Sequence, residues 1–277
     1  MISDVRDRYF EIARRLIDPV LKAGAVEMRY YETGVEIERK ADESPVTAAD
    51  REAEAILLAA LADIAPDIPV IAEEAVSDGQ VPVIGSRFFL VDPLDGTKEF
   101  INKRGEFTVN VALIENGQPV LGVVYAPAIG EIYATLSPGT ASLARLTPGT
   151  MERQAAECVF EPIRVRAPGA SLTAVASRSH MTPETEDFLE RYVIAERRDS
   201  GSSLKFCAIA RGEADIYPRL APTMEWDIAA GHAVLVAAGG AVTTPEGTPI
   251  RYGKSHSGFR NGHFVAWGAA EPFPVKA

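Results

Sequence analysis

The chain has 277 residues, of which 47% are hydrophobic and 24% charged, with a formal net charge of −11 at pH 7. That length holds one large domain or two of about 100–150 residues each. The acidic surplus argues against a polyanionic polymer as partner, because sequence-independent nucleic-acid binding rests on a surplus of Lys and Arg, whereas a small anionic ligand stays compatible if positive charge is gathered locally. No apolar run approaches the roughly 20 residues needed to cross a bilayer, and residues 1–8 lack a basic segment leading into an apolar one, so a cytoplasmic protein is expected. Cys158 and Cys207 lie far apart without metal-type spacing and are expected to be free thiols.

Val5, Tyr9, Ile12, Leu16, Val20 and Ala23 recur at helical spacing, which predicts an amphipathic first helix of about thirty residues, kinked at Pro19. A second helix is expected after Thr47, with an Ala- and Leu-rich interior that stops at Pro66. The pattern then turns to strands at residues 69–72, 88–91, 107–114, 120–125 and 131–135, and Asn116-Gly117 between apolar runs signals a hairpin. Residues 137–148, with Ser, Thr, Pro and Gly dispersed through them, read as an exposed loop or a domain junction. Beyond them, strands near 163–165 and 172–176 alternate with helices near 183–193, 203–211 and 227–238. That alternation is the mark of an α/β half. The expected division is an α+β half over residues 1–155 and an α/β half over residues 156–277.

The most informative stretch is Asp92-Pro93-Leu94-Asp95-Gly96-Thr97, where an apolar strand runs into two carboxylates three residues apart and Pro and Gly shape the turn. Clustered carboxylates repel and are driven toward protonation unless a cation neutralises them, and hard oxygen ligands select magnesium, manganese or calcium. Glu73-Glu74 ends another apolar strand, and Glu225-Trp226-Asp227 opens a helix, so three acidic element ends could converge. Each also has a plain structural role: the Asp-Pro-Leu-Asp-Gly string as a turn, Asp227 at the positive end of a helix, and Asp50 as the fourth residue of a capping box opened by Thr47.

Taken together, Glu73-Glu74, Asp92-Pro-Leu-Asp-Gly-Thr97, Trp226-Asp227-Ile-Ala-Ala-Gly231 and the run Ser44-Pro-Val-Thr-Ala-Ala-Asp50 resemble the signature motifs of the lithium-sensitive, magnesium-dependent phosphatases related to inositol monophosphatase. The resemblance covers residues 40–240 and implies the layered α-β-α-β-α sandwich of the inositol monophosphatase and fructose-1,6-bisphosphatase type. It further implies two or three magnesium ions held by Glu73, Asp92, Asp95, Asp227 and the Leu94 carbonyl, with Thr97 completing the site and Asp50 serving a weaker ion. Glu73, Thr97 and Asp50 are then the catalytic residues, and the reaction is in-line attack of an activated water without a covalent intermediate, because no Ser, Cys or His stands in a nucleophile arrangement. Sensitivity to lithium is implied by the same resemblance.

Asp-Gly-Thr followed by Lys98-Glu99-Phe100, the run Gly105-Glu106-Phe107-Thr108-Val109-Asn110, and the segment Val123-Val124-Tyr125-Ala126-Pro127 resemble the 3′(2′),5′-bisphosphate nucleotidase branch. The substrate contacts this implies are Gly96, Thr97, Lys98, Arg178, Ser179, His180, Ser202, Ser203, Lys205, Arg219 and Asp227. Arg219 stands where the inositol branch has an acidic residue, and a cation there suits a second phosphate better than a polyol. The substrate is thus expected to be adenosine 3′(2′),5′-bisphosphate, with its phosphosulfate relative second. Inositol or sugar phosphates, and a non-catalytic nucleotide or metal sensor, are the alternatives. His232, on an apolar helical stretch, is expected to be a packed core histidine.

Overall fold

The computed structural model describes residues 2–34, 37–39, 45–137, 139–148, 155–176 and 182–276. In chain order the elements are α1 (Ile2–Thr33), β1 (Ile37–Arg39), β2 (Pro45–Thr47), α2 (Ala48–Ile64), β3 (Val70–Ala72), α3 (Glu73–Ser77), β4 (Arg87–Asp95), α4 (Thr97–Ile101), β5 (Thr108–Glu115), β6 (Gln118–Ala126), β7 (Glu131–Ser137), β8 (Thr140–Arg145) and β9 (Phe160–Ile163). There follow β10 (Leu172–Ala176), α5 (Pro183–Leu189), β11 (Ile194–Asp199), α6 (Leu204–Ala210), β12 (Ile216–Arg219), β13 (Thr223–Met224), α7 (Glu225–Ala237), β14 (Ala241–Thr243), β15 (Arg260–Asn261) and β16 (Phe264–Trp267). No helix among the described residues is long and apolar enough to cross a membrane.

Strands β3 to β9 form a seven-stranded sheet in sequence order, and β11-β10-β12-β16-β14 form a five-stranded one. Helices α1 and α2 pack on one face of the first sheet, while α6 and α7 fill the space between the two sheets. The outer face of the second sheet buries Leu172, Ile216 and Trp267 against Phe188 and Leu189 of α5. Five layers result, α-β-α-β-α, as the sequence resemblance implies. With layers on both sides of the sheet, apolar residues run almost continuously along β4 and β5, which are buried throughout most of their length.

Two expectations are corrected. Residues 137–148 contain β8, whose Ala141, Leu143 and Ala144 are buried; the Ser, Thr and Gly residues around the strand belong to its turns and mask a four-residue core. The strand expected near residues 163–165 is β9, which pairs with β8 at the edge of the first sheet rather than joining the second half. Pro19 lies within α1 without ending it. Asn116 and Gly117 both adopt positive φ, 51° and 73°, at the β5–β6 hairpin, as a two-residue primed turn requires.

Helix α7 is held between close neighbours on two sides. A Cβ on Gly122 of β6 would lie 2.4 Å from the Ala230 carbonyl oxygen, and one on Gly231 would lie 2.8 Å from Phe206 of α6. These glycines let α7 sit against both β6 and α6, which fixes the helix that carries Asp227.

Candidate metal and substrate site

Asp92 and Asp95 are three residues apart on one strand, and in a regular strand their side chains would point to opposite faces. Asp92 pairs with Asn110 and Asp95 with Thr108, so three steps on β4 oppose two on β5. That extra residue is a bulge, and it turns both carboxyls to the same side. Pro93 lies within the bulge and has no N–H to contribute to the ladder. The Leu94 N–H donates to Asp92 Oδ1 at 3.1 Å, closing the turn locally. Gly96, at φ +94°, then leads into α4, and a Cβ there would lie 3.0 Å from the Glu106 carbonyl oxygen.

The other acids arrive from separate elements. Glu73 starts α3, whose Glu74 and Ala75 N–H groups donate to Glu54 of α2, both at 2.8 Å. Asp227 stands in the first turn of α7 and accepts the Met224 N–H at 2.9 Å. Asp50 performs the capping role: it accepts the Thr47 N–H at 2.8 Å and the Thr47 hydroxyl at 2.7 Å, while the Thr97 hydroxyl lies 3.4 Å from its other oxygen and 3.3 Å from the Leu94 carbonyl.

Glu73, Asp95 and Asp227 line an open cleft of about 280 Å3, and Lys98, Lys205 and Arg219 also line it, with Gly96, Thr97 and Ser202. Asp92 and Leu94 are buried. Ser203, also buried, donates from its hydroxyl to the Asp227 carbonyl at 2.9 Å and lies 3.4 Å from Asp95. Arg178, Ser179 and His180 fall outside the described residues. His232 is buried, its Nδ1 bonded to the Tyr252 hydroxyl at 2.8 Å, and burial pulls its pKa down to about 3.

Burial, joined by repulsion from Glu73, Asp95 and Asp227, raises the Asp92 pKa well above the usual carboxyl range. The Asp227 carboxyl is raised well above it too, by burial first and then by Asp95 and Glu73. For Asp95 burial outweighs the attraction of Lys205 and the bond from Ser202, so its pKa is also raised. Lys205 is buried and pushed down to about 8 by burial, against the pull of Asp95. Its ammonium donates to the Ser202 carbonyl at 2.7 Å and the Ser200 carbonyl at 3.2 Å, so it shapes the loop before α6 as well as facing the cleft.

Several further groups support these acids, in roles that the sequence motifs do not announce. Asn110 Nδ2 donates to the Thr108 hydroxyl at 3.0 Å, Thr108 and Ser202 share a short hydroxyl–hydroxyl bond, and the Ser202 hydroxyl donates to Asp95 at 2.6 Å. This chain of donors fixes one Asp95 oxygen. Glu54 does the same for the α3 start that carries Glu73.

The donor set fits a hard divalent cation: it is all oxygen, and the buried carboxyls raise one another's pKa values for want of counter-charge. Among the described residues no three acidic, His or Cys side chains are already gathered in coordinating geometry. Asp92, Asp95 and Asp227 each engage a protein donor with one oxygen.

The inositol monophosphatase family model matches residues 10–269. The chain is 43% identical over 233 residues to the 3′(2′),5′-bisphosphate nucleotidase CysQ of Shigella flexneri, covering 83% of this chain and 89% of that protein. It is 44% identical over 245 residues to CysQ of Salmonella typhimurium, covering 87% and 91%. Among solved structures it resembles CysQ from Bacteroides thetaiotaomicron, a bacterial member of the inositol monophosphatase family, with a TM-score of 0.78 at 39% identity over 94% of this chain and 97% of that one. An inositol monophosphatase from Thermotoga maritima is similar at a TM-score of 0.70 and 26% identity, covering 91% and 90%. The chain belongs to the inositol monophosphatase family.

Proposed function

We propose that this chain is a magnesium-dependent 3′(2′),5′-bisphosphate nucleotidase that hydrolyses adenosine 3′(2′),5′-bisphosphate to AMP and phosphate, with 3′-phosphoadenosine 5′-phosphosulfate as a second substrate. The observation that carries this reading is the cleft in which Glu73, Asp95 and Asp227 meet Lys98, Lys205 and Arg219. One charge pattern suits metal-held phosphate, the other a second anionic group. The curated relatives named for this activity support the same reading.

Glu73, Asp92, Asp95, Asp227 and the Leu94 carbonyl are the residues that would hold two magnesium ions, with Asp50 serving a third. Bound there, the metal supplies charge neutralisation, a lowered water pKa and stabilisation of the departing alkoxide. Thr97, backed by Asp50 and the Leu94 carbonyl, works with Glu73 to orient the attacking water and take up its proton. Gly96, Thr97, Ser202 and Ser203 surround the scissile phosphate. Lys98, Lys205 and Arg219, with Arg178, Ser179 and His180, bind the rest of the nucleotide. The new bond is water oxygen to phosphorus, and the phosphorus–ribose oxygen bond breaks.

The test is phosphate release from adenosine 3′,5′-bisphosphate and inositol 1-phosphate, with magnesium or with chelator, for wild type and Asp95→Asn. Magnesium-dependent preference for the nucleotide, lost in the variant, is the expected result. Preference for the inositol ester would keep the metal site and overturn the roles given to Lys98 and Arg219.

A further inference from the structure

Two polar atoms at this cleft lack a protein partner. Thr223 Oγ1 and Arg219 Nε are shielded from water and make no hydrogen bond, and both residues line the cleft. Leaving such groups unsatisfied is costly, so native structures tolerate them chiefly where another partner completes them.

The position of Thr223 is fixed by its neighbours. It pairs with Asn261 across β13 and β15, and Asn261 Nδ2 donates to the Met224 carbonyl at 2.9 Å. The Met224 N–H in turn holds Asp227. Thr223 therefore sits one residue before the amide that orients an expected metal ligand, and Arg219 lines the same cleft as that ligand.

The two atoms differ in chemistry. Arg219 Nε only donates, whereas the Thr223 hydroxyl donates and accepts. Sharing the cleft with a donor, Arg219, and an acceptor, Asp227, that hydroxyl is matched by a group that also donates and accepts. A phosphate oxygen at neutral pH only accepts. In a ribonucleoside 3′,5′-bisphosphate, the group of this kind beside the scissile ester is the ribose 2′-hydroxyl.

We infer that Thr223 is a specificity-determining residue which, with Arg219 Nε, binds the ribose hydroxyl vicinal to the scissile phosphate. The inference rests on the nucleotidase reading and adds to it a discrimination between ribo and deoxyribo substrates.

The experiment compares kcat/KM on adenosine 3′,5′-bisphosphate and its 2′-deoxy analogue for wild type, Thr223→Val and Thr223→Ser. Wild type should prefer the ribonucleotide roughly 10- to 100-fold, the range of a hydrogen bond to a charged group. Thr223→Val should lose activity on the ribonucleotide alone, and Thr223→Ser should recover the preference. Equal rates of wild type on both substrates, or an equal loss on both in Thr223→Val, would overturn the assignment while leaving the nucleotidase reading intact. If wild type hydrolyses neither nucleotide, that reading fails and the assignment falls with it. The wild-type comparison decides the matter even if a variant does not fold.

Discussion

Gly231→Ala tests whether close packing of α7 on α6 sets the cleft. The added Cβ would meet the Cβ, Cγ and Cδ2 of Phe206 at 2.8 Å, about 0.6 Å inside an ordinary contact of roughly 3.4 Å. Phe206 is 1% exposed and cannot swing out. Overpacking of this kind costs about 3 kcal/mol at its upper end, and replacing Gly by Ala within a helix returns about 1 kcal/mol. The net loss of about 2 kcal/mol corresponds to a fall in Tm of roughly 3–4 °C for a chain of this size. Because α6 follows Ser202 and carries Lys205 while α7 carries Asp227, the same shift separates two walls of the site. A displacement of about half an ångström should lower kcat/KM on adenosine 3′,5′-bisphosphate by roughly 10-fold. Thermal unfolding and phosphate release measure the two effects, with Gly85→Ala as control, since nothing lies within 4 Å of a Cβ there. A Gly231→Ala protein with unchanged Tm and unchanged kcat/KM would refute the reasoning.

Glu54→Ala removes two bonds to the start of α3 and should destabilise the protein by about 2–4 kcal/mol and lower kcat through Glu73; a fall in Tm without any change in kcat would limit Glu54 to stability. Lys205→Met should raise KM for the nucleotide by about 10- to 100-fold, and steady-state kinetics showing an unchanged KM would restrict Lys205 to its two loop carbonyls. Burial and mutual repulsion raise the Asp92 and Asp227 pKa values, so the fold favours their protonated forms. With chelator present, the contribution of these two groups to stability is full below the ordinary carboxyl pKa of about 4 and lost as pH climbs through the raised values. Urea unfolding across pH 5 to 8 should show a shallower decline in Asp92→Asn than in wild type, and magnesium should offset the decline in wild type; identical slopes in the two proteins would count against the coupling.

The acidic set was readable because each part is a short local string: Glu73-Glu74 at a strand end, Asp92 to Thr97 at a turn, and Trp226-Asp227 at a helix start. What spacing alone could not supply was direction. Asp92 and Asp95 share a face only because the register slips against Asn110 and Thr108, and that slip depends on a strand more than ten residues downstream. Glu54 was hidden for a related reason, since an acid inside an Ala-rich helix looks like solvent-facing punctuation until α3 arrives to use it. Strand β8 was missed because its buried core, Ala141 to Ala144, is short and its flanks carry turn residues. Lys205 was expected as a substrate contact, and its bonds to the Ser200 and Ser202 carbonyls give it a second task that no motif announces.

The charge arrangement also bears on which phosphate ester the cleft suits. In a chain of formal charge −11, a phosphate approaching Glu73, Asp95 and Asp227 meets like charge, and bound magnesium would reverse the sign around those carboxyls. Lys98 and Arg219 add positive charge to the same cleft, where a neutral polyol offers nothing to pair with it. A substrate with one phosphate engages the metal-binding acids alone, and desolvating the half-buried Arg219 without a counter-charge then opposes binding. A substrate carrying a second anionic group satisfies both sets of charges at once. The preference for a bisphosphate therefore follows from the cost of leaving Lys98 and Arg219 unmatched, so neutralising Arg219 by Arg219→Met should narrow the gap between adenosine 3′,5′-bisphosphate and inositol 1-phosphate rather than lower both rates alike; side-by-side specificity constants would show which happens.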